Sequence, residues 1–213
     1  MKKIFFWFLI LAMTGCISTS SVKKADLPSI SKEQRLKVAV MDFVNKTGLA
    51  ENNNYTKPIS HSLQADLFET KTLRIIERER LESILKELSL SMQGLTSSDS
   101  KNLKKVGAML NADALVFGDL LSIKYSKNKQ SIFIMFTEGE KIEVTLSARV
   151  VDIETGEVLA NCQASAYVKH RNWVAFWFAR LGGPLNKNAN VTKAIELATE
   201  ELAQKIAAQI TSN

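Results

Sequence analysis

Side chains able to do chemistry are few and scattered in this sequence. The two histidines, His61 and His170, lie far apart and have no acidic or cysteine neighbours at metal-ligand spacing. His61 falls two residues before Leu63, on the wetter side of an expected helix. Asp42 closes an apolar run and precedes a polar loop, the usual address of a working carboxylate in an open α/β sheet. One carboxylate is not a mechanism, so Asp42 reads as a cap or as half of an ion pair. Glu77, Arg78, Glu79 and Arg80 alternate in sign where a strand gives way to a helix, and acids favour a helix N-terminus. Structural ion pairing is the expected use of Glu77 and Arg78. Gly182-Gly183-Pro184 lacks the lysine and spacing of a phosphate loop and reads as a turn. No convergent catalytic set emerges, so no enzymatic activity, cofactor or metal is expected. Of two cysteines, Cys162 lies in an apolar strand-like segment where a small thiol packs well. Cys16 is different.

Cys16 ends the segment MKKIFFWFLILAMTGC, in which Lys2 and Lys3 precede ten mostly apolar residues, Ile4 to Met13. That order describes a signal peptide. The apolar stretch is shorter than the roughly 20 residues of a spanning helix. Met13-Thr14-Gly15-Cys16 resembles the lipobox of bacterial lipoproteins, in which the cysteine is acylated and becomes the first mature residue. The resemblance implies a precursor segment at 1–15 and attachment to membrane lipid through acylated Cys16. Each buried methylene adds roughly 0.8 kcal/mol of membrane affinity, so several acyl chains would hold the protein permanently. Ile17 and Ser18 follow, with no aspartate, which resembles a signal for the outer rather than the inner membrane.

Losing 1–15 removes two lysines and lowers the formal net charge from +6 to +4. No dense Lys/Arg cluster or nucleic-acid module is present, so nucleic acid is not an expected partner. Residues 17–35 are polar and serine-rich and read, with Cys16, as a flexible tether (16–35) that lifts a domain off the bilayer. The domain then spans 36–211.

LKVAVMDF (36–43) is apolar on both faces, as a central strand covered on both sides would be. After the turn-rich Asn45 to Gly48 and a polar loop, Pro58 suits a first helical turn, and Ile59, Leu63 and Leu67 recur at helical spacing beside Phe68. A short strand is expected over 73–78 and a helix over 79–88, with Glu82 and Lys86 paired four apart. Ser98 or Asp99 can cap a helix through Leu110 whose inner face is Leu103, Val106 and Leu110. A buried strand is expected at 114–123, then a charged turn at Lys127 and Lys129, then the apolar run Ile132 to Phe136. Residues 141–153 alternate and 157–168 run back, predicting a β-hairpin about the turn at Glu154 to Gly156. Trp173, Phe176, Trp177 and Phe178 crowd a segment read either as a membrane or partner contact or as a loop over the sheet's edge. A helix closes the chain from about Val191 to Ile210. The fold class is α/β: a mixed β-sheet flanked by helices, with a C-terminal β-hairpin and a closing helix.

VAVMDFVNKTG (38–48), RIIERERLESILKELSLSMQG (74–94), NADALVFGDL (111–120) and LSARVVDIETGEVL (146–159) occur in that order. Together they resemble the CsgG family, the curli production assembly/transport lipoproteins, over roughly residues 36–168. This chain looks like a shorter member: neither 121–150 nor 165–190 reads as a clear pair of membrane strands, which need about 9–11 alternating residues each. The resemblance implies a lipid-anchored protein at the outer membrane with its domain facing the periplasm. It leaves three roles open: a non-enzymatic scaffold or partner-binding component of an export or envelope assembly, an oligomeric secretion channel, or an activator of a cell-wall synthase. Envelope proteins or exported subunits are the implied partners, with homo-oligomers under the channel reading. Under the same resemblance Arg78 could pair across the sheet or a subunit interface.

Overall fold

The computed structural model describes residues 17–22, 27–91, 95, 100–132, 135–175, 179–181 and 187–212. In chain order these form β1 (Ile17–Thr19), β2 (Lys37–Val40), β3 (Val44–Asn45), α1 (Thr56–Glu69), β4 (Arg74–Ile75), α2 (Arg78–Glu87), α3 (Ser100–Leu110), β5 (Ala114–Ile132), β6 (Met135–Asp152), β7 (Val158–Ala175), β8 (Ala179–Leu181) and α4 (Lys187–Ser212). The sheet runs β1-β7-β6-β5-β2-β4, with β3 also on β5 and β8 also on β7. Strand β2 is parallel to both β4 and β5, while β5, β6 and β7 are antiparallel. This is the expected α/β architecture with a mixed sheet, the β6–β7 hairpin and a closing helix.

The doubly apolar sequence of β2 has its cause in the layers around it. Val38, Val40 and Phe43 join the core beneath α1 and α4; Ala39 and Met41 join a second core beneath α2 and α3. The period of two sends alternate residues of 38–41 to opposite faces, and Phe43, past the end of the strand, returns to the first. The α1 stripe Ile59, Leu63 and Leu67 is fully buried, whereas Phe68, one position on, is exposed. A single residue, about 100° of helix rotation, separates a core side chain from a wet one. The expected strand over 73–78 shortens to Arg74–Ile75 because the helix begins at Arg78. Leu103, Val106 and Leu110 of α3 are buried as their spacing implies; its candidate caps Ser98 and Asp99 lie outside the described residues.

Two irregularities in β5 matter for everything beyond them. Gly118 sits under the Phe43 ring, and a Cβ there would come within 2.3 Å of ring carbons. The register then slips between Leu120 and Ser122, leaving Leu121 as an extra residue. One extra residue inverts which alternate side chains face the core. Thus Ala114, Val116 and Leu120 face the first core, and so does Ile123 after the bulge.

The principal departure from the sequence reading is strand length. Strand β5 continues to Ile132, and the expected turn at Lys127 and Lys129 is strand, facing Glu140 and Glu138 in register. Strand β6 begins at Met135, not 141, and β7 continues to Ala175. The residues look loop-like because no core requires alternation of them. Backbone pairing and opposite charges across the ladder support them instead. A 3.0 Å contact of Lys127 Nζ with Glu140 Oε1 is one such pair.

Gly118→Ala is expected to lower stability by about 1–3 kcal/mol, as overpacking does. Chemical denaturation should show a lower midpoint, and Phe43→Leu in the same chain should recover part of the loss.

Candidate functional site

At the C-terminal end of β2, Asp42 is held by Arg78 from the first turn of α2. Arg78 Nη2 donates to Asp42 Oδ1, and Arg78 Nε donates to Glu82 Oε1 at 3.0 Å. Asp42 and Arg78 are 4% and 5% exposed, so the pair is sealed from solvent while Glu82 reaches it from the rim. Arg78 is therefore the partner Glu82 takes, in place of the expected Lys86. Glu77 is exposed and supplies the N-cap position of α2 without a side-chain capping bond. Asp42 and Arg78 are brought together; Glu77 points elsewhere. Arg78 Nη1 is buried with no hydrogen-bond partner. The arrangement can lock α2 to the sheet, since the buried carboxylate and guanidinium are bound to each other and shut off from solvent.

Polar residues that the sequence reading passed over do similar work. Asp113, just past α3, accepts the Lys37 backbone N–H at 2.7 Å and donates its own N–H to Lys37 O at 2.8 Å, fixing the register of β2 against β5. Ser60 on α1 accepts the Phe43 N–H at 2.9 Å. The Asn45 amide donates to Leu49 O and Asn53 Oδ1, and its Oδ1 accepts from the backbone and hydroxyl of Thr47. The turn-rich NKTG is thus a self-bonded loop. Small polar residues beside apolar runs were the available signal.

His61 is exposed, as expected for the wet side of α1. Cys162 is buried in β7, where its Sγ donates to Gln209 Oε1 at 3.2 Å and burial pushes the thiol up. A protonated thiol in that setting is a packing group. Among the described residues no cluster of three or more His, Cys, Asp or Glu could hold a metal. A cavity of about 360 Å³ opens beside β4, lined by Lys37, Arg74, Glu77 and Arg80 among others. Between α1 and α4, Asp66 is half-buried and its pKa rises to about 6. Loss of solvent is the main cause, the Thr199 hydroxyl offsets part, and Glu200, Glu69 and Glu196 add repulsion.

The most distinctive surface is the far end of the antiparallel strands. Among the described residues, the core under α4 reaches no farther along the strands than Ile123, Ile142 and Val168; in register, Ile142 pairs with both Tyr125 and Val168. The 26 residues of α4 extend about 39 Å, against about 60 Å for the 18 residues of β7. The strands therefore outrun the helix. Beyond the core lie 124–132 of β5, 135–141 of β6, 169–175 of β7 and the whole of β8, a four-strand flange. At its root, Lys141 and Lys169 both sit 4.8 Å from the Tyr167 ring centre, and Lys187 at the start of α4 lies 6.0 Å from that of Tyr125. Trp173 is on β7, in register with Thr137 and Leu181. Phe176, Trp177, Phe178 and Cys16 lie outside the described residues. Among the described residues no helix is long and apolar enough to cross a membrane.

These features define a class: an α/β sandwich whose antiparallel strands run past their helices as a paired flange. The chain belongs to the CsgG family, described as curli production assembly/transport component CsgG, whose model matches residues 21–213. No curated protein matches it significantly. Among solved structures, it is similar in fold to the hypothetical protein CT253 from Chlamydia trachomatis, at 11% identity and a TM-score of 0.50, covering 84% of this chain and 99% of that one. It also resembles lipoprotein GNA1162 from Neisseria meningitidis (15% identity, TM-score 0.46, 73% and 91% covered). The LpoB C-terminal domain from Escherichia coli is similar at 14% identity and a TM-score of 0.43, with 61% and 81% covered.

Two outcomes test the buried polar groups. Arg78→Met should cost about 3–5 kcal/mol by stranding Asp42 as an unpaired charge, whereas Asp42→Leu with Arg78→Met should restore most of it. Urea unfolding of the three proteins measures this. For Asp66, the folded pKa lies above the usual 3.8, so the native state binds the extra proton. Stability should fall as pH rises from about 4 to 6, and Asp66→Asn should abolish that slope. At pH 7 the substitution should stabilise by about 1 kcal/mol, allowing for screening at a half-exposed group.

Proposed function

We propose that this chain is a membrane-tethered envelope lipoprotein acting as a non-enzymatic scaffold or partner-binding component of an export or envelope assembly. In this reading residues 1–15 are removed, Cys16 carries the acyl chains at the outer membrane, and the 36–211 domain faces the periplasm. The observation that carries it is the flange. A paired sheet that leaves the hydrophobic core offers backbone edges, charges and aromatics to a partner without disturbing the fold. Family membership over residues 21–213 supports an assembly or transport setting. Envelope proteins or exported subunits are the partners of this reading.

A second reading, an oligomeric outer-membrane channel, draws on the same flange. Hairpins β5–β6 and β7–β8 lie side by side in one sheet, the arrangement a ring could join into a barrel. Against it stands the sequence of the first arm. Residues 124–131 (KYSKNKQS) leave neither alternate set apolar, while a lipid-facing strand needs one apolar set over about 9–11 residues.

A photo-crosslinking amino acid at 127 or 169 of the lipidated protein, in intact cells, should yield one discrete adduct with an envelope protein. In planar bilayers the purified lipoprotein should not conduct. A heat-resistant ring with conductance would replace the scaffold by the channel. Neither adduct nor conductance would defeat both.

A further inference from the structure

The two edges of the sheet are finished differently. Along β7, Ile17, Ser18 and Thr19 of the expected flexible tether pair antiparallel with His170, Lys169 and Val168. The Ser20 N–H adds a bond to Tyr167 O at 3.0 Å. Farther along the same edge, Gln209 Oε1 of α4 accepts the Asn161 N–H at 2.9 Å, and Lys205 Nζ donates to Gln163 O at 2.8 Å. The opposite edge strand, β4, pairs only with β2 among the described residues. The Arg74 and Ile76 N–H groups donate to Leu36 O and Val38 O, both at 2.9 Å. Ile75, between them, turns its own N–H and C=O away from β2, to the outside.

The cavity of about 360 Å³ lies against this edge, with Ile75 in its lining. Ile76 and Leu110, which belong to the apolar layer under α2 and α3, give it an apolar floor. Its polar wall sets three cations, Lys37, Arg74 and Arg80, against one acid, Glu77. Lys37 and Arg74 are in register, and both fall on the sheet face that carries Ala39 and Ile76. Neighbouring strands lie about 5 Å apart, and like charges directly opposite one another destabilise a sheet. Among the described residues none of the three cations has an ion-pair partner. We propose that this edge and cavity dock an extended acidic segment of a partner protein. Its carboxylate sits among Lys37, Arg74 and Arg80, its main chain pairs with Ile75, and an apolar side chain two residues along rests on Ile76 and Leu110. A free small anion would use the cations but not the main chain of Ile75, whereas a strand uses both. A second copy pairing edge to edge would bring the same cations together, which disfavours it. The site uses no part of the flange and stands whether or not the flange meets a partner.

The test uses the full chain purified in detergent and a dye-labelled, amidated peptide, TETVTET, followed by fluorescence anisotropy. Saturable binding is expected, and the uncharged TQTVTQT should bind about tenfold more weakly, because it loses the charge-assisted contacts. Added salt should weaken TETVTET in the same direction. Arg74→Glu with Arg80→Glu should lower affinity for TETVTET by about tenfold and raise it for TKTVTKT, a gain that misfolding does not give. Both side chains are exposed, so the change spares the core. Bound TETVTET should slow hydrogen exchange at the Ile75 amide. N-methylation of the two threonines flanking the valine should abolish binding, which separates a paired strand from a carboxylate alone. Lys127→Glu should leave binding unchanged, so this site's result stays distinct from that of the flange. Absence of binding, equal binding of TETVTET and TQTVTQT, indifference to the charge reversal, or undiminished binding of the methylated peptide would each overturn the proposal.

Discussion

Strand β5 is hydrogen-bonded along both edges, and the rest of the molecule is arranged around that constraint. Its first half takes β2 and β3 in parallel on one side and β6 antiparallel on the other. A strand so placed has no backbone group left for water, and its two faces must both be covered. The helices supply the cover: α1 and α4 on one face, α2 and α3 on the other. Where β2 and β3 end, so does the need for two-sided burial. There the bulge at Leu121 re-phases the strand, and the ladder with β6 carries on alone.

The two halves of the long strands obey different energetics. In the core half, the alanines of β7 (Ala160, Ala164 and Ala166) let α4 approach closely with its own Ala194, Ala198 and Ala203. Stabilisation there scales with apolar area removed from water. In the flange half, stability comes from backbone pairing with cross-strand pairs worth about 0.2–1 kcal/mol each, such as Lys127 with Glu140. Isolated hairpins of this kind are marginal, so width matters: three long strands and β8 support one another. A surface held in this way can be polar, charged and exposed without cost to the core, which suits it to meet another surface.

The buried polar groups have the opposite logic. Arg78 with Asp42, Asp113 with Lys37 and Ser60 with Phe43 each tie a loop or helix end to the sheet and satisfy groups that burial would otherwise strand. Arg78 with Asp42 and Ser60 with Phe43 lie past the C-terminal end of β2, the usual address of an active site, whereas Asp113 with Lys37 lies at the strands' other end; in each case the groups are spent on one another.

Much of the fold was legible. The two-sided apolar run at 36–43, the four-residue stripe of α1, the alternation at 142–148 and the long closing helix all reflect burial, and burial forces periodicity into a sequence. The lipobox resemblance is similarly local, since it depends on residues adjacent in the chain. The ion pair was half legible: a lone carboxylate and alternating charges marked Asp42 and Arg78, but their meeting depends on α2 packing beside β2. The flange and the docking of β1 were not legible. Residues 124–131 and 18–20 are polar and aperiodic in sequence, and a strand held by main-chain bonds to its neighbours leaves no signature in side-chain type. The sequence by itself determined which faces of the strands and helices are buried; the tertiary structure alone decided how far the strands run and how residues 17–20 pair, because backbone pairing between distant segments exists only once they are brought together.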